Sequence, residues 1–203
     1  MANPFCDLKY LRSNKEFAVF KFNREFGQNF LIDEFVPARI AQCAPQNPLV
    51  IEIGVGAGAL TYELCKRNSK VTGIEADTSL KPFQQILLKE CSNLSIIYAD
   101  ALELDFCELA GGTKPILFAN LPYNITTAAI TKILKSQAFS CAVLMVQKEA
   151  AERITAAPGS KKADRLSLLT SFHSEPALLF EVGPESFFPQ PRVKSAVIKL
   201  DML

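Results

Sequence analysis

Tryptophan is missing from this chain of 203 residues, histidine occurs once, at His173, and none of the six cysteines stands in a C-x-x-C pair. With scattered thiols (Cys6, Cys43, Cys65, Cys91, Cys107 and Cys141) and one imidazole there is no ligand set for a metal. The plain reading is a cytoplasmic protein with reduced, mostly buried thiols. His173 reads as a structural residue near the surface, so the sequence offers neither a histidine relay nor an activated cysteine. An excess of one charge is also missing: 22 Lys and Arg stand against 21 Asp and Glu, so any nucleic-acid binding must rest on local patches or on a further domain. No run approaches the roughly 18 apolar residues of a membrane span. The N-terminus has no apolar signal core, and Asp7, Glu16 and Glu25 argue against a transit peptide. Internal repeats and low-complexity tracts are absent.

What is present is a hydrophobic content of 49%, enough at this length to bury one sizeable core. Short β-branched runs alternate with longer helical patterns, the sequence form of an α/β protein whose mostly parallel sheet is covered by helices on both faces. Seven strands are expected near Pro48–Ile53, Lys70–Glu75, Leu94–Tyr98, Pro115–Ala119, Cys141–Gln147, Ala177–Val182 and Ser195–Leu200. Helices are expected near Asp33–Ala44, Leu60–Asn68, Ser79–Glu90, Thr127–Gln137 and Lys148–Ala157. Pro158-Gly159-Ser160-Lys161-Lys162 reads as a mobile loop.

The chemistry gathers at successive strand ends. Glu52-Ile53-Gly54-Val55-Gly56-Ala57-Gly58 closes the first strand of the sheet, and glycines there let the backbone turn tightly and approach a small-molecule cofactor. The spacing is G-x-G-x-G, which lowers the odds of a nicotinamide cofactor. Glu75 closes the second strand, where a carboxylate accepts both hydroxyls of a ribose, and Asp100 closes the third, within reach of an adenine amine. Asn120-Leu121-Pro122-Tyr123 closes the fourth. An exocyclic adenine amine is a poor nucleophile because its lone pair is conjugated into the ring. An Asn side-chain oxygen and the next backbone carbonyl can hold both amine hydrogens and favour a pyramidal nitrogen. Pro122 stiffens the loop, and Tyr123 offers a flat face to a base taken out of its stack.

With these residues assembled, the chain resembles the small-subunit ribosomal RNA adenine dimethyltransferases, the dimethyladenosine transferase family, from about Phe26 to the last residue. Gly27-Gln28-Asn29-Phe30-Leu31 is similar to the family's N-terminal signature, and Asn120-Leu121-Pro122-Tyr123-Asn124-Ile125 to its catalytic loop. Gln147-Lys148-Glu149, Ala151-Glu152-Arg153, Pro158-Gly159-Ser160-Lys161 and Arg165-Leu166-Ser167 follow its order, and Phe187, Pro189, Pro191, Val193, Ser195 and Ala196 fit its closing pattern. The resemblance implies a Rossmann-like class I methyltransferase that uses S-adenosyl-L-methionine to dimethylate N6 of adenines in small-subunit rRNA. It implies a monomer acting on the immature small ribosomal subunit, with no metal and no membrane attachment. Asn29 and Leu31 would flank the methionine and ribose, Gly54 and Gly56 would lie beneath them, and Glu75 would take the ribose hydroxyls. Asp100 would take the adenine amine, Ala101 would pack beside that ring, and Asn120 would border the cofactor as well. Asn120 and the Leu121 carbonyl would hold the target amine, with Tyr123 and Phe187 sandwiching the flipped base.

Residues 1–26 are expected to form an N-terminal extension, with Lys9, Arg12, Lys15, Lys21 and Arg24 interleaved with Phe5, Tyr10, Phe17 and Phe20. This reads as an RNA-contacting arm or as solvated charges on a helix packed by its aromatics. Residues 27–203 are expected to form the methyltransferase domain, without the small helical domain into which family members continue. Lys161, Lys162, Arg165, Arg192 and Lys194 are expected along the substrate cleft. The chain departs from the family pattern at Ala163 and Asp164, usually aromatic and glycine, and at Lys194, commonly acidic. Large-subunit adenine methyltransferases of the macrolide-resistance type share the fold and the Asn-x-Pro-Tyr logic, but Asn-Leu-Pro-Tyr-Asn and Gln-Lys-Glu favour the small-subunit family. A non-catalytic assembly factor or transcription factor on the same fold is disfavoured by the intact Gly54, Glu75, Asp100 and Asn120.

Overall fold

A computed structural model of the chain describes residues 2–18, 20 and 27–203. In chain order its strands are β1 (Phe30–Leu31), β2 (Val50–Ile53), β3 (Val71–Glu75), β4 (Leu94–Tyr98), β5 (Ile116–Asn120), β6 (Cys141–Gln147), β7 (Ser174–Val182), β8 (Phe187–Phe188) and β9 (Ser195–Met202). The helices are α1 (Leu8–Ser13), α2 (Lys15–Ala18), α3 (Phe35–Ala41), α4 (Ala59–Arg67), α5 (Lys81–Glu90), α6 (Phe106–Ala110), α7 (Thr126–Ser136), α8 (Lys148–Ile154) and α9 (Arg165–His173). Seven strands form one sheet in the order β4-β3-β2-β5-β6-β9-β7. β4 through β6 run parallel, and β9 is antiparallel to both of its neighbours.

Alternation along the central strands covers both faces. Leu117 and Ala119 of β5 point to one side with Ile51, Ile53 and Leu144, where Ile130, Ile133 and Leu134 of α7 and Leu166 of α9 close over them. Ile116 and Phe118 point to the other with Val50, Val143 and Val197, beneath Ile40 of α3 and Leu60 and Leu64 of α4. With both faces buried, the central strands read as continuous apolar runs. The sheet reverses direction of growth between β2 and β5, which opens a crevice beyond their carboxyl ends.

Several elements escaped the sequence reading. α9 starts on a capping box, Asp164 accepting from Leu166 N and Ser167 N at 2.8 and 3.0 Å while Ser167 Oγ takes the Asp164 amide. α6 is capped by Asp105 and closed by Gly111 in the left-handed region. β1 and β8 are only two residues long and pair antiparallel, Phe30 with Phe188 and Leu31 with Phe187. The described part of the N-terminal segment packs inward on α5: Phe5, Leu11 and Phe17 are buried, with Phe17 and Phe83 rings 5.1 Å apart. Lys9, Arg12 and Lys15 stay exposed, and Lys21, Arg24 and Phe26 lie outside the described residues. Burial raises the Cys6 and Cys141 thiols to about 12, which keeps them protonated and inert.

Candidate active site

The crevice holds a cavity of about 280 Å³ floored by the β2–α4 glycine loop. Gly54 and Gly56 have φ of +83° and +55°, and a Cβ on Gly56 would sit 3.3 Å from the Phe30 ring, so this close turn requires glycine. Glu75 organises the loop from the end of β3. One carboxylate oxygen accepts from Gly56 N at 2.8 Å and the other from Asp77 N at 2.9 Å. Glu75 is 7% exposed. Burial pushes its pKa up, and the two amide donors pull it back. Gln84 fixes the other side of the loop, its Nε2 donating to Gly56 O at 3.0 Å. Asp77 then accepts from Gln28 Nε2 at 2.6 Å, tying the N-terminal signature to the acid loop.

The opposite wall comes from β1 and the β5–α7 turn. Asn120 Nδ2 donates to Asn29 O at 3.3 Å, so the amide oxygen is the polar atom left to accept from a group in the cavity. Asn29 Nδ2 is itself held by Gly27 O at 3.0 Å. Leu121 N donates to Met145 O at 3.1 Å, Thr126 Oγ1 to Pro122 O at 3.2 Å, and the Tyr123 hydroxyl lies 3.0 Å from Ser195 Oγ. These bonds set the loop and the ring without occupying the cavity. Asp100 accepts from Leu102 N at 2.8 Å and lines the wall with Ala101 and Leu31.

The structure therefore brings Asn29, Leu31, Gly54, Gly56, Glu75, Asp100, Ala101, Asn120, Leu121, Pro122 and Tyr123 around one cavity. Phe187 is the exception. Pairing with Leu31 turns its ring into the core beside Phe180 and Val182, 3% exposed and away from the cavity, so in this conformation it presents no face to a base. Glu52 is a site residue the sequence reading did not assign. It lines the cavity at 1% exposure, with Oε2 lacking a partner among the described residues. Burial pushes its carboxyl up to about 8; Thr61 alongside eases the charge, and Glu75 adds to the rise. Its signal in the sequence is a carboxyl set inside the apolar run of β2, a strand buried along its whole length.

The basic residues expected along the cleft are exposed, and two of them, Lys162 and Lys194, are in ion pairs. Lys162 meets Glu152 at 2.5 Å, while Lys148 and Lys194 both meet Glu181. Arg12 stacks over the Phe188 ring at 5.0 Å.

An α/β sheet of this order, a glycine loop braced by a buried acid, and an Asn-Leu-Pro-Tyr turn define a Rossmann-like methyltransferase. Solved structures agree. The 23S rRNA methyltransferase ErmE superposes with a TM-score of 0.76 at 31% identity, covering 86% of this chain and 70% of that one. A dimethyladenosine transferase from Plasmodium falciparum superposes with a TM-score of 0.74 at 30% identity, covering 85% of this chain and 63% of that one. Residues 19–202 match the ribosomal RNA adenine dimethylase family, and the chain belongs to it. Ribosomal RNA small subunit methyltransferase A of Clostridium botulinum (strain ATCC 19397 / Type A) is 46% identical over 188 residues, 91% of this chain and 68% of the relative.

Proposed function

We propose that this chain transfers methyl groups from S-adenosyl-L-methionine to N6 of adenines in small-subunit rRNA, forming dimethyladenosine in the course of ribosome biogenesis. The observation that carries the reading is the anchored Asn120 amide, which lines the same cavity as the Glu75-braced glycine loop. The donor set fits the cofactor: a buried carboxylate for a ribose diol, a loop with space for close backbone approach, and Asp100 for an adenine amine. When bound, the cofactor supplies an electrophilic methyl on a good leaving group, so the protein contributes position more than proton transfer. Asn120 Oδ1 and the Leu121 carbonyl hold the two amine hydrogens and aim the nitrogen lone pair. Tyr123, steadied by Ser195, stacks the extruded base. Phe187 joins that stack only if its ring turns out of the core.

The small-subunit substrate is preferred over the large-subunit one because the relative named for the small subunit is 46% identical, against 31% for ErmE. No helix of the described residues is long and apolar enough to cross a membrane. The full reading is of a cytoplasmic monomer acting on the immature small subunit. Incubation with labelled S-adenosyl-L-methionine and either immature small subunits or large subunits tests the reading. Label in small-subunit adenines is expected, and label confined to large subunits overturns it.

A further inference from the structure

Beside the active site, β6 and β9 form a junction that the mechanism above does not use. Gln147 pairs with Ser195 across the two strands, and Lys148 N donates to Lys194 O at 2.9 Å, so the two lysines emerge side by side. Both ammonium groups converge on one carboxylate of the edge strand β7, reaching the Glu181 oxygens at 2.6 and 3.6 Å. Ser195, next along β9, is the residue bonded to the Tyr123 hydroxyl at 3.0 Å. The junction is thus one residue from the group that holds the base-stacking ring. An open depression of about 350 Å³ lies over it, lined by Gln147, Lys148, Glu149, Glu152, Val193 and Lys194.

Exposed ion pairs of this kind add little to stability, so the fold does not depend on them. Their effect is to hold two ammonium groups at one point, on a single exposed carboxylate. Of the two acids in the depression, Glu152 is already taken by Lys162 at 2.5 Å and Glu149 is exposed to solvent. Glu181 is 43% exposed and free to swing into solvent. We propose that Lys148 and Lys194 form a seat for one backbone phosphate of the substrate RNA next to the target adenosine, and that Glu181 occupies it in the free protein. The proposal rests on the RNA-methyltransferase reading and assigns that substrate's strand a path: base between Tyr123 and the cofactor loop, adjoining phosphate over the β6–β9 junction. Lysine serves here as a mobile point charge, so the seat fixes register and carries no base preference.

The test measures binding of a single-stranded oligoribonucleotide by fluorescence anisotropy at several salt concentrations, beside methylation of immature small subunits and calorimetric cofactor affinity. Lys148→Ala and Lys194→Ala are each expected to weaken RNA binding on the order of threefold to tenfold. Together they should lower the salt slope by about one, and in turnover the loss should fall on KM. Glu181→Gln is expected to tighten binding, an effect that structural damage does not produce. Cofactor affinity should hold in all three variants. Unchanged RNA affinity and slope in the double lysine variant, no measurable RNA binding by the native chain, or weaker binding in Glu181→Gln would each overturn the seat. A native chain that binds RNA through these lysines yet methylates none would overturn the methyltransferase reading and leave the seat standing.

Discussion

Glu52→Gln isolates the effect of one buried carboxyl. The side chain is 1% exposed, its Oε2 has no partner among the described residues, and burial raises its carboxyl from an ordinary 4.5 to about 8. A folded-state value above the unfolded one means that the folded chain keeps a proton the unfolded chain releases. Stability is therefore fully present below about pH 4.5, declines as pH rises, and levels out above about 8. A gap of about 3.5 corresponds to ~5 kcal/mol at its full extent and ~3 kcal/mol at pH 7. The glutamine is isosteric and does not titrate, so it avoids this decline. It pays instead a constant cost of ~1–3 kcal/mol for a buried amide with unmet donors. That constant drops out when urea unfolding of the two proteins is compared across pH 5 to 9. Glu75, whose pKa burial also raises, is present in both proteins and largely cancels. The stability of the variant relative to the native chain is expected to rise by ~3 kcal/mol or more between pH 5 and pH 8. Parallel pH profiles would show that Glu52 is ionised in the fold and refute the reasoning.

Glu75→Ala removes an acceptor shared by Gly56 N and Asp77 N as well as the proposed ribose contact; S-adenosyl-L-methionine should bind ~10- to 100-fold more weakly by calorimetry. Unchanged affinity in a folded variant would remove Glu75 from the cofactor site. Asn120→Ala should lower turnover on the order of 100-fold or more with a much smaller change in cofactor affinity, while Asn120→Asp keeps an acceptor and part of the activity. Equal loss of binding and turnover would make Asn120 a binding residue only. Gly56→Ala must hold φ at +55° with its Cβ 3.3 Å from the Phe30 ring, and should lower stability by ~1–2 kcal/mol in thermal unfolding. An unchanged Tm would mean the loop relaxes without cost.

The seven-stranded sheet was legible because each central strand is buried on both faces and so prints a largely apolar run bounded by turns. The cavity-lining residues were legible because they sit at strand ends, where a glycine, an acid or an amide interrupts that run. Phe187 was misplaced because its environment depends on pairing with Leu31, more than 150 residues earlier, and two-residue strands leave no periodic trace. Separations of 91 and 72 residues likewise hid the Asn120–Asn29 and Tyr123–Ser195 bonds. Glu52 was passed over for a different reason: a buried acid looks like any other acid in a string until its missing partners are known. The short helix α9 carried its own local signal, Asp164 three residues before Ser167, which the polar loop around it obscured.

The reversal of the sheet between β2 and β5 divides the labour of the molecule along the chain. Everything that grips the proposed methyl donor, apart from Asn120, is encoded before residue 102, in the glycine loop, the β3 acid and the β1 strand that folds over them. Everything assigned to the acceptor strand, from the Asn-Leu-Pro-Tyr turn through the paired lysines to Ser195, is encoded after residue 119. The halves meet through the β2–β5 ladder, the β1–β8 pairing, the Asn120–Asn29 bond and the shared core on both faces of the sheet. Substrate choice can accordingly drift through the later half while the earlier half stays fixed, which gives one scaffold the means to diversify its targets without rebuilding its fuel supply.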